Sequence, residues 1–109
     1  MLLNLSVLVN GHKEGLLLKK SCLNAIAAMD ICRENDIRAE LVLILDRPDE
    51  ETLAIAREIS ASFNFVRLYV VNYGNLGNSR AFGISKTQSD WVAFLDGDDL
   101  ISSNWLINA

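Results

Sequence analysis

Long hydrophobic runs are missing from this chain of 109 residues. Its apolar stretches fall far short of the ~20 residues that a transmembrane helix needs. The apolar start, residues 1–5, has neither a basic segment before it nor a small-residue cleavage site after it, so it does not resemble a signal peptide. The expected localisation is therefore cytoplasmic, with a peripheral association with the membrane left open for a longer protein.

Clusters of basic residues are also missing. The chain has 10 Lys and Arg against 14 Asp and Glu, a formal net charge of −4. This balance argues against nucleic acid or an anionic membrane as the main partner. His12 is the one histidine, so the chain cannot build a histidine-based metal cage or catalytic dyad.

Cysteine is scarce. Cys22 and Cys32 fall in one predicted helix, ten residues and therefore ~15 Å apart along its axis. A disulfide needs Cα atoms within ~7 Å of each other, so these two cannot pair within that helix. We expect buried free thiols, which fit a reducing compartment.

The usual glycine-rich phosphate loops do not occur. No Gly-x-Gly-x-x-Gly follows the first predicted strand, and no Walker-type Gly-Lys-Ser/Thr is present. A dinucleotide cofactor is therefore not expected. Another group, such as a metal ion, would have to neutralise a bound diphosphate.

What the chain does have is a regular alternation of strands and helices. Continuous apolar runs predict buried strands, and apolar residues recurring every three or four positions predict helices. The predicted strands are residues 5–9, 41–45, 66–71 and 91–95, and the predicted helices are 16–34, one opening at 48–51, 79–88 and a last one from Asn104. Within the first helix the buried stripe is Leu18, Cys22, Ala25, Met29 and Cys32.

Four strands alternating with helices predict an α/β fold, a Rossmann-like layer whose mostly parallel sheet has helices on both faces. Right-handed crossovers leave few topologies, and one of these has the strand order 3-2-1-4. In open parallel sheets, ligands bind beyond the carboxyl ends of the strands. The polar residues that follow the strands here are Asn10, His12 and Glu14, then Asp46, then residues 72–78, then Asp96 to Asp99.

The last of these groups is a cluster of three carboxylates, Asp96, Asp98 and Asp99, directly after a buried strand. Like charges so close together repel unless a cation lies among them. Hard divalent ions such as Mn²⁺ or Mg²⁺ prefer oxygen ligands and often bind phosphates as well. The cluster therefore predicts a metal site that holds a phosphorylated ligand.

Four segments of the chain together resemble the N-terminal, nucleotide-binding half of a GT-A-fold glycosyltransferase of the family 2 type. They are residues 7–14, 40–46, 75–83 and 91–99, and they occur in the same order as in that family. The fourth holds the Asp-x-Asp motif. Two departures stand out: Asp46 is followed by Arg47-Pro48 where Asp-Gly-Ser is common, and Ala81-Phe82 stand where Arg-Asn is usual.

The resemblance implies a nucleoside-diphosphate sugar as donor and an inverting sugar transfer. At the acidic cluster, Asp98 would bind the metal ion directly, Asp96 would contact the ribose or a metal-bound water, and Asp99 would support the site. The residues implied in binding the rest of the donor are Asn10, His12 and Glu14 of the first turn, Asp46, and Arg80, which would steady the Asp-x-Asp loop or reach a phosphate.

In such enzymes the general base lies well beyond the Asp-x-Asp motif, in the acceptor-binding half. The resemblance therefore implies that residues 1–109 are a single donor-binding subdomain, cut before that half, with no catalytic residue of its own. The fourth strand would lie at an open sheet edge, which invites self-association.

Two alternatives remain. One is a non-catalytic fragment that binds a nucleotide without turning it over. The other is a haloacid-dehalogenase-like, Mg²⁺-dependent phosphatase, which also places Asp-x-Asp after a strand. In that family the motif continues into Thr or Val and follows the first strand, whereas Asp99-Leu100 follow the fourth strand here.

Overall fold

The computed structural model of the chain describes residues 4–97. In this range the chain forms four strands and three helices, and each helix lies between two consecutive strands. The elements are β1 (Leu5–Gly11), α1 (Leu16–Glu34), β2 (Ala39–Asp46), α2 (Glu50–Ser62), β3 (Val66–Val71), α3 (Leu76–Ser85) and β4 (Trp91–Asp96). The helix predicted from Asn104 lies outside the described residues.

The four strands form one parallel sheet in the order β3-β2-β1-β4, which confirms the predicted fold class and strand order. β1 therefore pairs with both β2 and β4. Asn10 near its end lies opposite Ile44 on one side and Asp96 on the other. This pairing brings the last residues of three strands to one edge of the sheet.

The main hydrophobic core lies between one face of the sheet and the helices α1 and α2. All five residues of the predicted α1 stripe are buried, which confirms the helical periodicity. Both cysteines are free and buried, as predicted. Burial, with a smaller contribution from Glu14, raises the pKa of the Cys22 thiol to about 12.

The opposite face of the sheet packs against α3. Its core consists of Leu8, Val42 and Ile44, with Phe82 of α3 packed against them. A Cβ atom on Gly83 would lie 2.7 Å from Ile44 Cδ1 and 2.8 Å from Leu8 Cδ2. Glycine therefore lets α3 lie directly on the sheet, and this places the N-terminus of α3 beside the strand ends.

The structure corrects the predicted start of α3. The helix begins at Leu76, three residues before the predicted start at Ser79. Asn75 has an extended backbone, and its side chain accepts a hydrogen bond from the backbone N–H of Asn78 (3.0 Å). This N-cap satisfies a backbone donor that would otherwise have no partner in the first turn, so the helix can start earlier.

An ion pair with a buried carboxylate joins β2 to β3 at the amino end of the sheet. Glu40 is 6% exposed and accepts hydrogen bonds from Arg67 Nε (2.9 Å), Arg67 Nη2 (3.0 Å) and Ser6 Oγ (2.6 Å). The bidentate pairing and the third donor compensate the carboxylate for its lost hydration.

β4 forms one edge of the sheet, as predicted. It carries two large exposed side chains, Trp91 (74% exposed) and Phe94 (39%). Self-association through this edge stays a prediction. Among the described helices, none is long and apolar enough to cross a membrane.

Candidate functional site

A cavity of about 520 Å³ opens at the carboxyl ends of the strands. This volume lies within the usual range for small-molecule sites. The cavity is lined by Asn10, Gly11, His12, Glu14, Asp46, Arg47, Gly74, Asn75, Leu76, Ser79 and Asp96. Residues from the ends of β1, β2 and β4 and from the β3–α3 loop thus share one pocket, at the edge where parallel sheets bind ligands.

Asn10 provides the pocket's unsatisfied polar group. Asn10 is 6% exposed, and neither its Nδ2 nor its Oδ1 has a hydrogen-bond partner in the described part of the chain. A buried polar group without a partner costs about 1–3 kcal/mol. Asn10 lines the pocket, and a ligand that offered it one donor and one acceptor would remove this cost.

The turn after β1 is tied to β2. The backbone N–H of His12 donates to Glu14 Oε1, and His12 Nδ1 lies within hydrogen-bonding distance of the backbone carbonyl of Asp46. His12 is exposed, whereas Glu14 is half-buried. The predicted residues of this turn therefore form one rim of the pocket.

Asp46 fastens the β3–α3 loop. Its Oδ1 accepts from the backbone N–H groups of Tyr73 and Gly74 (2.9 Å each). Its Oδ2 accepts from the backbone N–H of Asn75 and the hydroxyl of Ser79 (3.0 Å each). A carboxylate offers about four acceptor sites, so the loop and Ser79 of α3 together occupy all of them.

The same contacts decide the protonation of Asp46. Burial raises the pKa of the carboxyl, but the hydrogen bonds from the loop outweigh burial and hold the pKa below its usual value of 3.8. A direct contact between this side chain and a nucleoside stays a prediction.

Arg47 was not among the predicted site residues, yet it lines the pocket. Its φ of 51° lies in the left-handed region, which non-glycine residues rarely adopt. Its Nε donates to Asn72 Oδ1, and its guanidinium lies against Gly74, whose φ is 65°. The residues next to Arg47 do not indicate this arrangement, because the residues in contact lie at least 25 positions apart.

Asp96 lies at the opposite side of the pocket, at the end of β4. Arg80 Nη2 on α3 donates to Asp96 Oδ1 (3.3 Å), and the Asp96 side chain is 49% exposed. The guanidinium of Arg80 also lies 5.6 Å from the centre of the Phe94 ring. Arg80 therefore contacts the first residue of the acidic cluster.

Asp96 is the one member of the predicted metal-binding cluster that lies within the described residues. Asp96 offers hard carboxylate oxygens of the kind that Mn²⁺ and Mg²⁺ prefer. Between residues 4 and 97, however, no three metal-ligating side chains come together. The other two members of the predicted cluster, Asp98 and Asp99, lie outside the described range, so the metal site stays a prediction.

A second, larger cavity of about 700 Å³ lies at the amino end of the sheet. Three arginines line it, but Arg67 is paired with Glu40, and Arg33 donates to Asp30 while its guanidinium lies 3.8 Å from the centre of the Phe65 ring. These contacts are structural. The orphaned amide and the strand ends favour the smaller cavity as the functional site.

Comparison with known proteins identifies the kind of chain to which this site belongs. The model of the glycosyl transferase family 2 matches residues 7–108, nearly the whole sequence. The cholesterol galactosyltransferase of Borreliella burgdorferi is 31% identical over 67 residues, which are 62% of this chain and 19% of that protein.

Solved structures show the same fold. The crystal structure of residues 1–349 of S. aureus TarS matches with a TM-score of 0.79 and 22% identity, over 97% of this chain and 31% of that one. The same TarS fragment in complex with UDP-GlcNAc matches with a TM-score of 0.79 and 23% identity, over 97% and 30%. The chain therefore spans less than a third of the length of these relatives.

Proposed function

Because the chain belongs to glycosyl transferase family 2, we propose that its carboxyl-edge pocket binds the nucleoside-diphosphate sugar donor of an inverting hexosyl transfer. Support comes from the relatives. TarS has been crystallised with UDP-GlcNAc and with UDP, and the Borreliella protein is named as a galactosyltransferase. The pocket's place at the strand ends and its volume suit a ligand of this size.

The observation that carries the proposal is the orphaned amide of Asn10. A nucleoside presents adjacent donors and acceptors on its base and ribose. An amide that provides both a donor and an acceptor matches such a ligand. Binding would therefore satisfy a group whose burial the folded chain otherwise leaves uncompensated.

We propose that a divalent ion, Mn²⁺ or Mg²⁺, binds at the acidic cluster, with Asp98 as direct ligand and Asp96 and Asp99 beside it. When bound, such an ion would neutralise charge on the diphosphate leaving group. The hydrogen bond from Arg80 to Asp96 Oδ1 would orient this carboxylate toward the pocket. His12 and Glu14 would contact the nucleoside from the β1 turn, where they form the facing rim.

The proposed role is donor binding rather than complete catalysis. Sugar transfer needs a base that deprotonates the acceptor hydroxyl. Among the described residues, each pocket carboxylate already accepts a hydrogen bond: Asp46 from the loop, Glu14 from the His12 backbone and Asp96 from Arg80. We therefore expect residues 1–109 to bind the donor without transferring its sugar.

Isothermal titration calorimetry tests the proposal. We expect UDP or GDP to bind the 109-residue chain in the presence of Mn²⁺ and to bind at least tenfold more weakly without it. The Asp98→Ala variant should lose the effect of the metal. The Asp90→Ala variant, which removes an exposed carboxylate before β4 at the other end of the sheet, is the matched control. Binding that is indifferent to both Mn²⁺ and Asp98→Ala would refute the metal site, and no binding of either nucleotide would refute donor binding.

A further inference from the structure

Arg47 lines the pocket at a position where this chain departs from the family's common Asp-Gly-Ser, and the family resemblance assigns it no role. We infer that its guanidinium is the platform on which the nucleobase of the donor stacks. This inference rests on the proposed donor site and adds which wall of the pocket receives the base.

The orientation of the guanidinium can be worked out from its distances to Gly74. A Cβ atom built on Gly74 would lie 2.6 Å from Nη1, 2.8 Å from Cζ and 3.2 Å from Nη2 of Arg47. If the edge formed by the two terminal nitrogens pointed at Gly74, this Cβ atom would lie nearer to both nitrogens than to Cζ. Instead it lies nearer to Cζ than to Nη2, so the flat face of the guanidinium, not its edge, covers the glycine.

This geometry leaves one flat face of the guanidinium for a ligand. Gly74 covers one face, Arg47 as a whole is exposed, and Arg47 lines the pocket. Guanidinium planes stack on aromatic rings and on nucleic-acid bases. A flat, apolar-faced nucleobase is the part of a sugar nucleotide that fits this surface.

The hydrogen bonds of Arg47 argue against a phosphate as its main ligand. Its Nε is already engaged by Asn72 Oδ1. The bidentate forks that arginine uses for phosphate often include Nε, so one of them is taken. The Nη1–Nη2 edge can still bind a phosphate as a fork, so the pyrophosphate titration described below decides between the two ligands.

The position of Arg47 in the sheet also favours the base. Arg47 follows β2, whereas the acidic cluster begins at the end of β4. In the order β3-β2-β1-β4 these two strands are separated by two strand spacings, about 10 Å. If the diphosphate binds a metal ion at the acidic end, the base lies at the other end, beside Arg47.

The backbone conformations of Arg47 and Gly74 support a specific role for their contact. Arg47 adopts a left-handed φ that disfavours non-glycine residues, and its N–H donates to the carbonyl of Val71 (3.0 Å). Gly74 has a left-handed φ and lacks the Cβ that would displace the guanidinium. Strained residues that persist in this way are common at ligand sites.

Calorimetric titration with UDP and with inorganic pyrophosphate, both with Mn²⁺, tests the inference. We expect Arg47→Ala to weaken UDP binding about tenfold and to leave pyrophosphate binding unchanged. Arg47→Lys keeps the charge but loses the flat face, so it should weaken UDP binding nearly as much. Gly74→Ala keeps Arg47 but pushes its guanidinium away, and it should have the same effect.

Arg57→Ala, which removes an exposed arginine of α2, is the matched control, and the thermal unfolding of every variant shows that it is folded. Equal weakening of UDP and pyrophosphate by Arg47→Ala, or full rescue by lysine, would instead make Arg47 a phosphate ligand. Unchanged UDP binding in the Arg47 variants would overturn this inference alone. A wild-type chain that binds neither UDP nor GDP would overturn the donor site and the inference together.

Discussion

Replacing Asn10 by leucine should make the folded chain more stable and its ligand binding weaker. Leucine branches at Cγ as asparagine does, so the change conserves shape while removing Nδ2 and Oδ1, the two buried atoms without partners. Each such atom costs about 1–3 kcal/mol. Removing both should raise the free energy of unfolding by on the order of 2 kcal/mol, which corresponds to about 8 °C in the unfolding temperature of a domain of this size.

The ligand should change the result in the opposite direction. At a UDP concentration 100 times its dissociation constant, the wild type gains about 2.7 kcal/mol of stability. If the variant binds tenfold more weakly, it gains about 1.4 kcal/mol at the same concentration. Thermal unfolding of both proteins with and without UDP measures the two effects in one assay.

Ser21 offers the matched control. Its Oγ is also buried without a partner among the described residues, but it lies on α1, away from the pocket. Ser21→Ala should therefore stabilise the chain and leave the shift caused by UDP unchanged.

Two results would refute this reasoning. If Asn10→Leu unfolds at a lower temperature than the wild type, the amide makes stabilising contacts in solution and is not orphaned. If the variant is more stable but UDP shifts it as much as the wild type, the amide is orphaned but does not contact the nucleotide.

Two further predictions concern contacts at the two ends of the strands, those of Asp46 at the carboxyl end and of Glu40 at the amino end. Asp46→Asn keeps one acceptor oxygen and should lose about two charge-assisted hydrogen bonds. The free energy of unfolding, measured with urea at pH 7, should therefore fall by roughly 2 kcal/mol. Asp36→Asn is the control and should change this free energy little, because Asp36 is exposed and its φ of 62° suits asparagine. The pKa of Asp46 is lower in the folded chain than its usual value of 3.8. The carboxylate therefore contributes its full stabilisation above pH 3.8, and this stabilisation is lost as the pH falls through the folded pKa. The difference between wild type and Asp46→Asn should therefore shrink below about pH 4, and a difference independent of pH would contradict the hydrogen-bonding account. Arg67→Met should lower the free energy of unfolding by about 3 kcal/mol, because it leaves the buried Glu40 carboxylate without its cation. Adding Glu40→Leu should recover much of that loss. A double variant less stable than Arg67→Met would contradict this explanation.

The sequence predicted the fold well because its strong signals are local. Apolar runs that end abruptly at polar residues marked the strand ends, and handedness rules left few strand orders. The helical stripe of α1 and the bounds of β3 agree with the structure for the same reason. The pocket's place followed from these strands, since parallel strands bring their carboxyl ends to one edge.

The details of the pocket depended on contacts between distant residues. The hydrogen bonds of Asp46 come from the β3–α3 loop and from Ser79 of α3, 27 to 33 residues further on, so the residues next to Asp46 do not indicate them. Arg47 is placed by a left-handed φ and by Gly74, and neither can be read from the residues next to it. The start of α3 was an exception, because Asn75 is a preferred N-cap residue and could have indicated it.

The pairing of β1 with β4 has a consequence for the order of events during synthesis. Asn10 leaves the ribosome 86 residues before Asp96, the residue opposite it in the sheet. At 5–20 residues per second, that interval is roughly 4 to 17 s. Throughout this time β2 is the one described strand that can pair with β1, and the β4 side of the carboxyl-edge pocket does not yet exist. If the pocket binds a nucleotide as proposed, we expect the ligand to stabilise the complete site only after the fourth strand has paired.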